Sequence, residues 1–142
     1  MAKGFGATEG FSADDAADGI MKSTGGMGVD YAFEAIGIAK VVETAMRVTR
    51  RGGMTVMVGV GPLTESVSVN ALAHPLQGKT LCGCMYGSAN VRVDFPKMLD
   101  LYRNGSLDLE GMVTKTYSID QAPQAFEDLE SGINARGVIA FD

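Results

Sequence analysis

Between Val29 and Ala35 the chain reads VDYAFEA, a run of β-branched and aromatic residues that stops at Gly37 and predicts a strand. The next segment, Ala39 to Arg50, places Val41, Val42, Ala45, Met46 and Val48 at helical spacing. Arg47, Arg50 and Arg51 gather near its carboxyl end, where the helix dipole favours cations. Gly52-Gly53 closes that helix. Met54 to Val60 then follows as a continuous apolar run, polar only at Thr55, the pattern of a strand covered on both faces. Strand, helix and strand within about thirty residues form one βαβ unit with a right-handed crossover.

The flanking segments extend the alternation. AKGFGATEGF reads as a helix tail closed by Gly4 or Gly6, and Ser12 with Asp15 is a capping-box candidate for a helix over Ala13 to Ser23. Downstream, Glu65 to Asn70 (ESVSVN) alternates like a short half-exposed strand, and Lys79 to Tyr86 predicts another. Phe95, Met98, Leu99 and Tyr102 mark one face of a helix, and Met112 to Tyr117 predicts a strand. A helix capped by Asp120 runs to Ser131, with Ala122, Phe126 and Leu129 inward and Glu127, Asp128 and Glu130 outward, before a last strand from Gly137 to Phe141. The class is α/β.

Glycines punctuate the end of the central strand in GGMTVMVGVGPL. A dinucleotide fingerprint needs G-x-G-x-x-G between a strand and a helix, so that the helix amino end meets a pyrophosphate. Gly59-Val60-Gly61 supplies the first half, but Thr64 stands where the third glycine belongs and Pro62 leads into no helix start. The loop fails the phosphate test. It leaves backbone at the carboxyl end of a buried strand, where open α/β sheets bind ligands and small residues let a flat molecule approach peptide groups.

Composition changes the picture by exclusion. A formal net charge of −5 over 142 residues argues against a nucleic-acid groove or an anionic membrane surface as partner. No apolar run is long enough to span a bilayer. Cys82 and Cys84 are too close for a disulfide framework, which favours a reducing, cytoplasmic setting, and two thiols fall short of the four donors of structural zinc. His74, the single histidine, precedes Pro75 in a loop with no carboxylate or thiol at ligand spacing. Glu34 is a carboxylate inside an apolar strand, read as an ion pair or hydrogen bond near the sheet end. The scattered carboxylates make no catalytic pair.

Four segments, TGGMGVDYAFEAIG, RRGGMTVMVGVGP, GKTLCGCMYGS and FEDLESGINARGVIAFD, resemble in order and spacing the zinc-type alcohol dehydrogenases of the medium-chain dehydrogenase/reductase superfamily, over essentially the whole chain. The resemblance implies the later strands of a Rossmann-type doubly wound parallel sheet: residues 1–86 as the C-terminal part of a dinucleotide-binding domain, and 87–142 as a segment that packs on the catalytic domain. It also implies that the pyrophosphate glycine motif, the ribose-binding acidic residue and every zinc ligand lie upstream of Met1. No catalytic or metal-binding residue is then expected in this chain.

By the same resemblance, Val58, Gly59 and Val60 lie beside the nicotinamide ring of NAD, and Cys84, Met85 and Tyr86 complete the carboxamide contact from the neighbouring strand, mainly through backbone. Val60 and Met85 help line an alcohol pocket. Ile36, with Ala35 and Gly37, covers the adenosine part. Arg136 reaches the pyrophosphate, a contact suited to a guanidinium fork. The strand at 65–70 pairs two subunits of a homo-oligomer. From the residues alone, Val58 and Val60 read equally as core valines, and Arg136 as a solvated cation or helix-dipole partner. The implied function is hydride transfer between an alcohol and NAD in a zinc enzyme, with the isolated chain inactive. Two alternatives stand beside it: a piece of a zinc-free, NADPH-dependent quinone or enoyl reductase, and a non-enzymatic truncated domain.

Overall fold

The apolar run around Val56 becomes the middle strand of a parallel three-stranded sheet in the computed structural model, which describes residues 1–141. Strand β1 (Val29–Glu34) and strand β3 (Thr80–Gly83) flank strand β2 (Thr49–Met57). Helix α1 (Ala16–Ser23) precedes β1, helix α2 (Ala39–Val48) makes the crossover from β1 to β2, and the short helix α3 (Ala73–Gln77) precedes β3. The apolar stripe of α2 packs on β1 and β2 and buries Val42 and Val48. These elements belong to the first of two compact units, Met1–Ala89; the second starts at Asn90.

The helix expected to reach Arg50 ends at Val48, and Arg50 and Arg51 belong to β2. Thr49 makes the switch: its hydroxyl donates to the Ala45 carbonyl (2.8 Å), capping the helix end, while its backbone starts the strand. Pairing with β1 jumps from Val29 opposite Thr49 to Tyr31 opposite Met54. The intervening residues of β2 bulge outward. The glycine pair that reads as a helix stop therefore sits inside a strand irregularity. Arg50 is held there by Asp30, Nη2 to Oδ1 at 2.6 Å. On either side of the bulge the buried hydroxyls of Thr49 and Thr55 lie 2.9 Å apart; because Thr49 gives its proton to Ala45, Thr55 is the donor.

Residues 65 to 70 are not a strand. Among the described residues no neighbouring strand pairs with them; Ser68 N–H instead donates to Glu43 Oε1 of α2 (3.0 Å), and Glu65 Oε2 accepts from Ala39 N–H (2.8 Å). The helix expected from Ala13 starts at Ala16, because the Ser12 hydroxyl closes a separate turn, accepting from Asp15 N–H and donating to its carboxylate. The amino-terminal helix tail is one 3-10 turn, Ala2–Phe5, closed by Gly6.

In the second unit, helix α4 (Val91–Arg103) is followed by strand β4 (Lys115–Ser118), helix α5 (Ala122–Glu130) and strand β5 (Gly137–Ala140). The two strands pair in parallel, so α5 is the crossover of a second βαβ unit. The cap before α5 is Ser118, which forms a capping box with Gln121 around a 3-10 turn; Asp120 lies inside that turn and caps nothing. Phe126 and Leu129, expected inward, are exposed, whereas Asp128, expected outward, is buried. Polar partners from β4, joined by Gln124 of α5 itself, explain the inversion. Asp128 Oδ2 accepts from Lys115 Nζ (2.6 Å) and Tyr117 OH (2.7 Å), and Oδ1 from Gln124 Nε2 (2.9 Å). Those donors hold its carboxyl down at about 2, Lys115 foremost.

Candidate functional site

The three strands of the first unit finish level. Glu34 pairs with Met57, and Met57 with Gly83, so the loops that follow emerge side by side at the carboxyl end of the sheet. Seven of the eight residues singled out in the sequence lie on those loops: Ile36 after β1, Val58, Gly59 and Val60 after β2, and Cys84, Met85 and Tyr86 after β3. Cys84 N–H donates to the Met57 carbonyl (2.8 Å), which ties the third loop to the second. Ile36, Val58, Val60, Met85 and Tyr86 present exposed side chains. The eighth residue, Arg136, is an exposed residue of the second unit. Thr114 bonds the Arg136 carbonyl through both its N–H (3.0 Å) and its hydroxyl (3.3 Å).

The fold itself requires glycine at two positions of these loops. A methyl group on Gly59 would strike the backbone nitrogen of Gly37 and come within 2.6 Å of that of Ile36. One on Gly37, whose φ is +90°, would meet the Val60 carbonyl at 2.5–2.6 Å. The loops after β1 and β2 thus press backbone against backbone, which no larger residue permits. The missing side chains of Gly37 and Gly59 face the neighbouring loop.

Hydrogen bonds fix the same two loops. The Glu34 carbonyl accepts from Val58 N–H (2.7 Å) and Gly59 N–H (3.0 Å), and Glu34 Oε1 accepts from Ile36 N–H (2.7 Å) and Gly37 N–H (2.8 Å). The carboxylate thus bonds its own loop, and among the described residues no ion pair involves it. Among the described residues the carbonyls of Val58 and Cys84 and the N–H of Tyr86 take no backbone hydrogen bond. Tyr86, Gly87 and Ser88 all have positive φ, 46°, 70° and 50°. Two non-glycine residues held in that region mark a backbone conformation of functional interest.

That donor and acceptor set fits a carboxamide, which has two N–H donors and one carbonyl acceptor. It does not fit zinc: among the described residues no group of three or more His, Cys, Asp or Glu side chains is placed to hold a metal ion. Cys82 and Cys84 are free thiols.

A parallel sheet with βα crossovers and loops converging at its carboxyl end defines an open α/β protein, the architecture that binds ligands at the carboxyl ends of its strands. Residues 1–104 match the description of the zinc-binding dehydrogenases, and the chain belongs to that family. The NDMA-dependent alcohol dehydrogenase of Amycolatopsis methanolica is 37% identical over 138 residues, 94% of this chain and 37% of that protein. The crystal structure of benzyl alcohol dehydrogenase from Acinetobacter calcoaceticus superposes with a TM-score of 0.92 at 26% identity, covering 99% of this chain and 39% of the other. A Sinorhizobium meliloti dehydrogenase solved bound to NADP matches over 70% of this chain and 28% of its own, with a TM-score of 0.62 at 26% identity. The chain thus spans well under half the length of the curated relatives it matches.

Sequence reasoning singled out the three loops but missed what holds them. Glu34 is visible as a carboxylate in an apolar strand, yet its bonds to residues two and three positions on leave no trace in the hydrophobic pattern.

Proposed function

We propose that this chain supplies the nicotinamide-binding wall of an NAD-dependent zinc-type alcohol dehydrogenase. The observation that carries the reading is the level finish of β1, β2 and β3, which gathers the unengaged carbonyls of Val58 and Cys84 and the N–H of Tyr86 at the end of the sheet where α/β folds bind ligands. When bound, the nicotinamide would supply or accept the hydride, and the described residues of this chain offer no site for the zinc that would polarise the alcohol oxygen. The residues of this chain orient. The two carbonyls accept from the carboxamide N–H groups, and Tyr86 N–H donates to its oxygen, which fixes the ring against rotation. Val60 and Met85, both exposed on these loops, shield the ring from water and border the alcohol. Ile36 covers the adenosine part.

NAD is the form implied by the likeness to alcohol dehydrogenases. The NADP-bound relative makes a NADPH-dependent reductase the second reading; comparing the affinities of NADH and NADPH separates the two. Residues 65–70, solitary in one chain, would form a strand by pairing with the same segment of a second copy. No helix among the described residues is long and apolar enough to cross a membrane, and with free thiols at Cys82 and Cys84 we place the protein in the cytoplasm. The chain by itself should show no alcohol turnover with added zinc and NAD; measurable turnover would refute the division of labour proposed here.

The testing experiment titrates the isotope-labelled chain with NADH and, separately, with adenosine diphosphate ribose, which lacks the nicotinamide. The amides of residues 58–60 and 84–86 should shift with NADH alone. Shifts elsewhere only, or equal shifts with both compounds, would contradict the reading.

A further inference from the structure

The structure assigns to Glu34 a role as the positioning residue of the candidate nicotinamide wall: its carboxylate and carbonyl together fix the loops after β1 and β2, an inference that rests on the cofactor reading above. Glu34 is the last residue of β1 and only 2% exposed. Oε1 holds Ile36 and Gly37 by their N–H groups, while the main-chain carbonyl holds Val58 and Gly59. Since the Gly37 backbone abuts that of Val60 and Gly61, fixing one loop fixes the other.

The second oxygen, Oε2, is buried and has no hydrogen-bond partner among the described residues. Glu34 also lines a cavity of about 160 Å³ together with Val42, Met57 and Glu65, and no Lys, Arg or His stands in its wall. An ionisable group with one bare oxygen in such surroundings is costly. A residue serving packing alone would be apolar here. The cost is sited where it tightens two loop tips through two short hydrogen bonds from the backbone, as expected of a residue serving geometry rather than stability.

The test uses the labelled 142-residue chain with Glu34→Ala and Glu34→Gln. The glutamine keeps the shape and one acceptor oxygen, so it retains a fold if the alanine does not. In Glu34→Ala, amide exchange at Ile36 and Gly37 should rise about tenfold or more while Thr55 and Val56 in β2 stay protected, the signature of local opening. NADH affinity, read from the residue 58–60 shifts, should fall about tenfold, or 1.4 kcal/mol, and Glu34→Gln should recover most of it. Unchanged exchange at Ile36 and Gly37 overturns the clamp. Loosened exchange with undiminished NADH affinity overturns the positioning role, as does a glutamine variant that keeps β2 protected yet binds NADH no better than alanine. If the unsubstituted chain shows no response to NADH at residues 58–60, the cofactor reading itself fails and the positioning role with it.

Discussion

At Gly59 a single added methyl group would collide with the backbone of the neighbouring loop, and no flexible side chain is there to yield. Gly59→Ala should therefore cost about 1–3 kcal/mol of stability and separate the loops after β1 and β2, weakening NADH binding as well. Urea unfolding and NADH titration of the one variant check both effects; full stability would show that the loops have room to spare. A second residue-scale prediction concerns the buried hydroxyl pair of β2. Thr55→Val keeps the shape and removes the donor to Thr49, whose own proton still goes to Ala45. The loss should be about 1 kcal/mol, with the bulge intact in the exchange pattern of residues 50–53. The threonines and glycines were visible in the sequence, but their partners were not. Each acts on a group brought near by the fold, and hydropathy records burial without recording what a side chain touches.

Among the elements, α5 with β4 and β5 shows the same boundary between legible and hidden. The two strands and the helix follow from apolar runs and turn residues. The buried face of α5 does not, because Asp128 is drawn onto β4 by Lys115 and Tyr117. Its carboxyl binds a proton less tightly when folded, about 2 against an ordinary 3.8. The stability it lends is thus complete above about pH 4 and drains away as the pH falls toward 2, with the unfolded form taking up the proton first. Acid titration followed by tyrosine fluorescence should show the second unit losing stability across that window, and Asp128→Asn should start less stable and lose this slope. A variant with the same acid dependence as the parent would show that another carboxylate governs it. Strand ends were the other hidden feature: β2 begins as soon as α2 ends, since Thr49 satisfies both, so the glycine pair that reads as the helix stop lies inside the following strand.

For the whole molecule, the order β1-β2-β3 leaves β1 at an edge, with Tyr31 and Phe33 exposed at 62% and 68%. An open edge beside exposed aromatic side chains pairs with other chains. The 142-residue chain should self-associate at micromolar concentration by light scattering, and Phe33→Lys should reduce that association; a monodisperse parent monomer would contradict this. The α/β class, the parallel sheet and the family were legible because long periodic segments and four spaced motifs carry them. Seven of the candidate residues share one sheet end because parallel strands of matched register must finish together, a consequence of topology that no single motif states. The most direct measurement of the central claim is a search for intermolecular NOEs between the nicotinamide ring protons of NADH and the methyl groups of Val58, Val60 and Met85. Cross-peaks to residues of both loops are expected, since one ring must touch two neighbouring strand ends. Nicotinamide cross-peaks confined to other parts of the chain, or none at a saturating concentration of NADH, would contradict the proposal that these loops form the cofactor wall.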